Sequence, residues 1–148
     1  MFAEILEQPE PAPIATRQRP KILIVDDDGA LADVLSDRLK RQGFEAITAE
    51  TGDLGLTKAR SERPALIVLD LQLPDIDGFT ICEQLADSPE TCAIPVIILS
   101  GTERPDILRR CRAAGGHYFV RKPYDPNVLL ILIRQAIAEA DGWNLLED

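Results

Sequence analysis

Cysteine is scarce in this chain and carries no pattern. Of 148 residues only Cys82, Cys92 and Cys111 are cysteines. An odd number without CxxC or metal-ligand spacing excludes a disulfide framework and a thiolate zinc site. The three read as reduced, mostly buried small hydrophobes. Long apolar runs are also missing. The longest uncharged one, VLLILI at 128–133, falls far short of the roughly 20 residues a membrane span needs. The first ten residues, MFAEILEQPE, carry acids and lack the basic region of a secretory signal. A cytoplasmic location without membrane insertion is therefore expected. Positive charge is in deficit, with 16 Lys and Arg against 25 Asp and Glu and a net charge of −9. That balance weighs against direct nucleic-acid binding, which depends on neutralising phosphates; solubility accounts for the acidity.

What is present is an ordinary globular composition, 45% apolar and 28% charged, long enough to bury one core. Residues 1–19, with Pro9, Pro11 and Pro13, read as a flexible or extended arm. The folded unit is expected over 20–141. The tail GWNLLED at 142–148 is too short for an output domain, so the chain is either stand-alone or a segment of a larger protein.

Between these ends strand and helix signals alternate. Strands are expected at 21–26, 44–48, 65–70, 95–100 and 117–121, mostly as apolar runs suited to burial on both faces. The second, FEAIT, is short and mixed, which suits a sheet edge. Leu31, Val34, Leu35 and Leu39 recur at helical spacing and stop at Gly43, placed as a C′ glycine. Residues 52–62 give a weaker helix interrupted by Gly52 and Gly55. Phe79, Cys82, Leu85 and Ala86 mark a third helix, and Ile107, Leu108, Cys111 and Ala114 a fourth. The fifth opens with Asp125 as N-cap and Pro126 at its first position. The alternation predicts an α/β fold with a parallel sheet covered on both faces.

Four runs end in reactive side chains: KILIVDDD, ALIVLD, VIILS and YFVRKP. As neighbouring parallel strands they would deliver Asp26, Asp27, Asp70, Ser100 and Lys122 to one rim, where open parallel sheets bind ligands. Converging carboxylates repel unless a cation joins them, and Mg²⁺ favours such oxygen donors. The DDD run also reads as an N-cap for the helix after Asp28, and the two readings stand side by side. Asp70 fits a nucleophile, a metal ligand or a cap, and the loop after it has turn chemistry at Pro74 and Asp77-Gly78. Ser100 fits a cap or a hydroxyl donor, and Lys122 a solvated charge or a fixed cation. Hydroxyl, ammonium and divalent cation together suit the terminal oxygens of a phosphoryl group.

These residues closely resemble the receiver domain of two-component response regulators. The family pattern is an acidic pair after strand one, an acceptor Asp ending strand three, Ser or Thr after strand four and Lys-Pro after strand five. DLQLPDIDG resembles its D-x-x-M/L-P-x-x-D-G, and AAGGHYFVRKPY its G-A-x-x-Y-x-x-K-P-F. The resemblance spans about residues 20–140. It implies a flavodoxin-like (βα)5 doubly wound sheet of order 2-1-3-4-5. It implies that Asp70 accepts a phosphoryl group from a sensor histidine kinase or histidine phosphotransfer protein. Mg²⁺ (or Mn²⁺) would be held by Asp27, Asp70 and the Gln72 carbonyl, with Asp26 acting directly or through water. Ser100 and Lys122 would contact the phosphoryl group, and Lys122-Pro123 would be cis. Ser100 and Phe119 would act as the switch, and Gln72 and Thr102 would tune dephosphorylation. Many members have Tyr where Phe119 stands, and Phe lacks that hydroxyl; Tyr118 should face the opposite side. The resemblance implies a signalling domain rather than an enzyme, catalysing only its own phosphotransfer and autodephosphorylation.

Output would run through the face of helix four, strand five and helix five. VLLILI makes helix five more apolar than one buried stripe requires, so a partner or a second copy is expected there. The other readings are weaker. Asp75-Ile-Asp77-Gly78-Phe79-Thr80 resembles the D-x-D-G-T of haloacid dehalogenase phosphatases, but a loop precedes it instead of a strand. A calcium loop from Asp26 would need Glu where Asp37 stands. A flavodoxin-like cofactor binder would need a phosphate-cradling loop after strand one. A receiver fold used purely for protein interaction, without phosphorylation, is the main alternative.

Overall fold

A computed structural model describes residues 19–101 and 105–141. The expected arm (up to residue 18), the tail at 142–148 and Thr102 lie outside the described residues.

Strands β1 (Lys21–Val25), β2 (Glu45–Ala49), β3 (Leu66–Asp70), β4 (Val96–Ser100) and β5 (Tyr118–Arg121) form one parallel sheet. Its order is β2-β1-β3-β4-β5. The helices between them are α1 (Gly29–Arg41), α2 (Gly52–Glu62), α3 (Gly78–Asp87), α4 (Pro105–Ala113) and α5 (Pro126–Asp141). The expected strands therefore hold to within a residue at each end. The (βα)5 doubly wound architecture is the one expected.

Period-two alternation sorts the core into two faces. Leu23, Val25, Ile67, Leu69 and Ile98 pack with Leu56, Phe79, Ile81, Leu85 and Cys111 of α2, α3 and α4. Ile22, Ile24, Val68, Ile97 and Leu99 pack with Leu35, Leu39, Leu129 and Ile133 of α1 and α5. Each central strand is thus an apolar run, polar only at an end (Lys21, Asp70, Ser100), because both faces are covered. Of VLLILI, Leu129 and Ile133 are buried, while Val128 and Ile131 stay more than half exposed. Cys82 and Cys111 are buried and Cys92 exposed, all three as free thiols. Burial pushes the Cys82 thiol up to about 12, out of reach of thiolate chemistry near neutral pH.

Helix ends follow local chemistry. Asp28 caps α1, its Oδ1 accepting from Leu31 N at 3.1 Å, and Gly43, at φ +94°, supplies the left-handed turn that stops it. Thr51 caps α2 through Leu54 N at 3.1 Å, and Asp77 caps α3 through Phe79 N at 3.1 Å. Asp125 accepts from Asn127 N at 2.8 Å ahead of α5.

The glycines that weaken α2 as a sequence signal have a packing reason. A Cβ at Gly55 would lie 2.8 Å from Val25 Cγ1 and 2.9 Å from Cγ2, so the helix rests on β1 through bare backbone. Gly55→Ala is therefore expected to destabilise the chain by about 1–3 kcal/mol from overpacking, although alanine gains roughly 1 kcal/mol in helix propensity. Urea unfolding checks this, and a stabilised variant would show that α2 can lift off β1 without loss.

Candidate functional site

The parallel register brings the ends of β1, β3, β4 and β5 to one rim. Asp26 directly follows β1, held there by its N–H donating to Ala49 O at 3.0 Å. As whole residues, Asp26 is 2% exposed and Asp70, at the end of β3, is 4% exposed. Asp27 is exposed. Carboxylate oxygens of Asp26, Asp27 and Asp70 all lie within 4.8 Å of one another. Asp28 is the member of the acidic run that caps α1, so capping and clustering divide the run between them.

Lys122 reaches in from the end of β5. Its Nζ donates to Asp70 Oδ2 at 3.1 Å and to Asp26 Oδ2 at 3.3 Å. The Lys122-Pro123 peptide is cis, as expected. The Lys122 N–H donates to Ser100 O at 2.7 Å, which ties the fourth and fifth strand ends together. Ser100 is itself buried. Asp26 Oδ1 accepts from Asp28 N at 3.0 Å, and Asp70 Oδ1 from Gln72 N at 3.1 Å. Each buried acid therefore has one oxygen fixed by backbone and the other turned to the lysine.

Electrostatics at the rim pull in two directions. Burial raises the Asp26 carboxyl above its ordinary range and the Asp70 charge adds to this, against the Asp28 N–H and Lys122. Burial works to lower Lys122, but Asp70 and then Asp26 outweigh it and the ammonium is held above its ordinary value. Two buried acids share one cation, so the cluster is short of positive charge. Three hard oxygen donors with that deficit fit a small divalent ion.

Of the other expected residues, Phe119 and Gln72 lie among the described ones. Phe119 is half-buried against the α2–α4 side of the core, and Tyr118 packs on the opposite side, as strand alternation requires. The Tyr118 hydroxyl donates to the Glu139 carboxylate, a bond that raises the phenol to about 12. Gln72 is exposed beside Asp70. The acids of the D-x-D-G reading are otherwise engaged: Asp77 caps α3, and Asp75 accepts from Gly52 N and Asp53 N at the start of α2. Tyr124 closes the AAGGHYFVRKPY motif, in which it carries no assigned role. This side chain packs against the α1–α5 side of the core, and burial, with the Asp26 charge, raises its phenol. An aromatic directly after Lys-Pro was the available signal.

The family model described as the response regulator receiver domain matches residues 22–134. The chain belongs to the response regulator receiver family. This receiver domain is 34% identical over 122 residues to a DNA-binding dual master transcriptional regulator, RpaA, of Synechocystis, covering 82% of the chain and 51% of the relative. It is 35% identical over 123 residues to the alkaline phosphatase synthesis transcriptional regulatory protein PhoP of Bacillus subtilis, covering 80% and 50%. The chain thus spans about half the length of these curated relatives. Among solved structures, a CheY-like receiver domain protein of Methanospirillum hungatei superposes with a TM-score of 0.80 at 29% identity, covering 84% of this chain and 98% of that one. The BeF3-activated DrrB receiver domain superposes with a TM-score of 0.71 at 30% identity, covering 81% and 98%. The matched span includes the ends of β1, β3, β4 and β5 that form the rim. No helix among the described residues is long and apolar enough to cross a membrane.

Proposed function

We propose that this receiver domain accepts a phosphoryl group on Asp70 from the phosphohistidine of a sensor histidine kinase or phosphotransfer protein. The observation that carries the reading is the pairing of the buried Asp70 Oδ2 with Lys122 Nζ at 3.1 Å inside a three-acid cluster. In the transfer a carboxylate oxygen of Asp70 forms the P–O bond while the donor's P–N bond breaks. The donor imidazole leaves with the electron pair and takes up a proton. Asp26, Asp27, Asp70 and the Gln72 carbonyl would hold Mg²⁺ (or Mn²⁺), which supplies positive charge to the phosphoryl oxygens when bound. Lys122 neutralises the developing charge from the other side, and the Ser100 hydroxyl donates to a phosphoryl oxygen.

Phosphorylation adds about −1.5 to −2 charge at a rim already crowded with acids. Ser100 moves toward that charge, Phe119 turns into the vacated space, and the α4–β5–α5 face repacks as a two-state element. Exposed Val128 and Ile131 on α5 support a protein partner or a second copy as the reader of that change. Gln72 and Thr102 tune the lifetime of the acyl phosphate. What the relatives' names say of DNA and transcription belongs to those longer proteins. The role carried over to this chain is that of the phosphorylated input.

The test is incubation with acetyl phosphate followed by intact mass. A gain of one phosphoryl group in Mg²⁺ and none in EDTA is expected. Failure to gain mass from acetyl phosphate and from a phosphorylated phosphotransfer protein would leave the non-phosphorylated interaction module as the better reading.

A further inference from the structure

We propose that Asp75 is a positioning residue for the cation site: its carboxylate latches the loop after Asp70 to the start of α2 and so sets where Gln72 holds its main-chain carbonyl. This rests on the reading of the rim as a Mg²⁺-dependent phosphoryl site.

The latch is a two-pronged contact between segments more than twenty residues apart. Asp75 Oδ1 accepts from Gly52 N at 2.8 Å and Oδ2 from Asp53 N at 3.0 Å. Together with Leu54 N on Thr51 Oγ1, this satisfies the N–H groups of Gly52, Asp53 and Leu54, which the start of a helix leaves without internal partners. A carboxylate at this end also meets the positive pole of the helix. The N–H groups of Asp53 and Gly52 hold the Asp75 carboxyl below its ordinary range, so the acceptor stays ionised at neutral pH.

Packing leaves the seat no room for a side chain at Gly52. A Cβ there would lie 2.7 Å from Ile81 Cδ1, 3.0 Å from Ile76 Cβ and 3.3 Å from Asp75 Oδ1. The loop is also pinned beside the latch. Gly78 N donates to Leu71 O at 3.3 Å, and a Cβ at Gly78 would meet Leu71 Cα at 2.7 Å. Only Leu73 and Pro74 separate Gln72 from Asp75, and proline fixes its own φ near about −65°. A displacement at Asp75 therefore reaches the Gln72 carbonyl with little slack. Asp75 itself is exposed, but the Gly52 whose N–H it accepts is buried, so Asp75→Ala also costs stability, and urea unfolding verifies that each variant is folded where its affinity is read.

The experiment measures Mg²⁺ affinity of the full chain by calorimetry, and the Mg²⁺ concentration giving half-maximal phosphorylation by acetyl phosphate. Asp75→Ala is expected to weaken both on the order of tenfold, as loss of a group that orients a metal ligand does. Asp75→Asn, which keeps one accepting oxygen, should fall between it and wild type. Asp53→Asn removes a neighbouring negative charge but leaves its N–H. Thr51→Ala removes the other α2 cap. Both should keep the wild-type affinity. An Asp75→Ala affinity equal to wild type overturns the latch, and so does an equal loss in Asp53→Asn or Thr51→Ala, since charge or helix fraying would then explain it. If wild type binds Mg²⁺ but takes up no phosphoryl group, the phosphoacceptor reading fails while the calorimetry still decides the latch. If wild type binds no Mg²⁺, both are overturned.

Discussion

Asp70→Asn is expected to abolish phosphoryl uptake under conditions that label the wild-type chain, a loss of at least about a thousandfold in initial rate. The amide keeps the shape of the side chain and an oxygen to accept from Gln72 N, a bond of 3.1 Å in the wild type. What disappears is the anionic nucleophile, which no conformational change of an amide replaces. The same substitution removes the neighbouring charge that, after burial, raises Asp26. Stability without Mg²⁺ should therefore hold or rise by roughly 1 kcal/mol, as when a strained functional site is neutralised. Intact mass gives the first readout and urea unfolding in EDTA the second. An Asp70→Asn chain that gains mass like wild type would place the acceptor on another residue.

The residues in that argument stand at strand ends, and strand ends are where the sequence was most legible. A strand covered on both faces is a short apolar run, so the polar residue that stops the run marks the rim by itself. Asp70 after ALIVL and Ser100 after VIIL are found this way. Asp26 follows KILIV, with Asp28 of the same run taken by helix capping. The sheet order came from the family resemblance, since periodicity says nothing about which strands are neighbours. Helix α2 was the weakest element to read because its glycines argue against a helix, and the reason they are there lies on Val25 of a different strand. Asp75 shows the same limit more sharply. In the sequence it is one acid in a turn; its partners are backbone N–H groups 22 and 23 residues upstream, and backbone donors leave no residue-type signature.

Lys122→Ala is expected to lower stability by about 3 kcal/mol at neutral pH in EDTA, the lower end of the cost of stranding a buried charge. The lower end applies because the Lys122 side chain is 24% exposed, whereas those of Asp26 and Asp70 are 3% and 6% exposed. The signs of the two shifts give the experiment its shape. Lys122 is raised above its ordinary 10.5, so its contribution is fully present below that value and is lost only as pH rises through the higher, folded one. Asp26 is also raised, and for an acid this means that folding favours the protonated form. Its contribution is thus present at low pH and declines from the ordinary carboxylate range up through the raised value. Without the lysine, two buried acids face each other with no cation, and the Asp26 effect grows. Stability of Lys122→Ala in EDTA should then be higher at about pH 5 than at about pH 8, with the gap from wild type narrowing on acidification. Millimolar Mg²⁺ at neutral pH should return most of the loss, because it binds the folded acid cluster and not the unfolded chain. Urea unfolding across that pH range, with EDTA or Mg²⁺, reads all three effects. A loss that is the same at every pH and indifferent to Mg²⁺ would reduce Lys122 to a packing residue, and the acid cluster would then need no cation to hold it together.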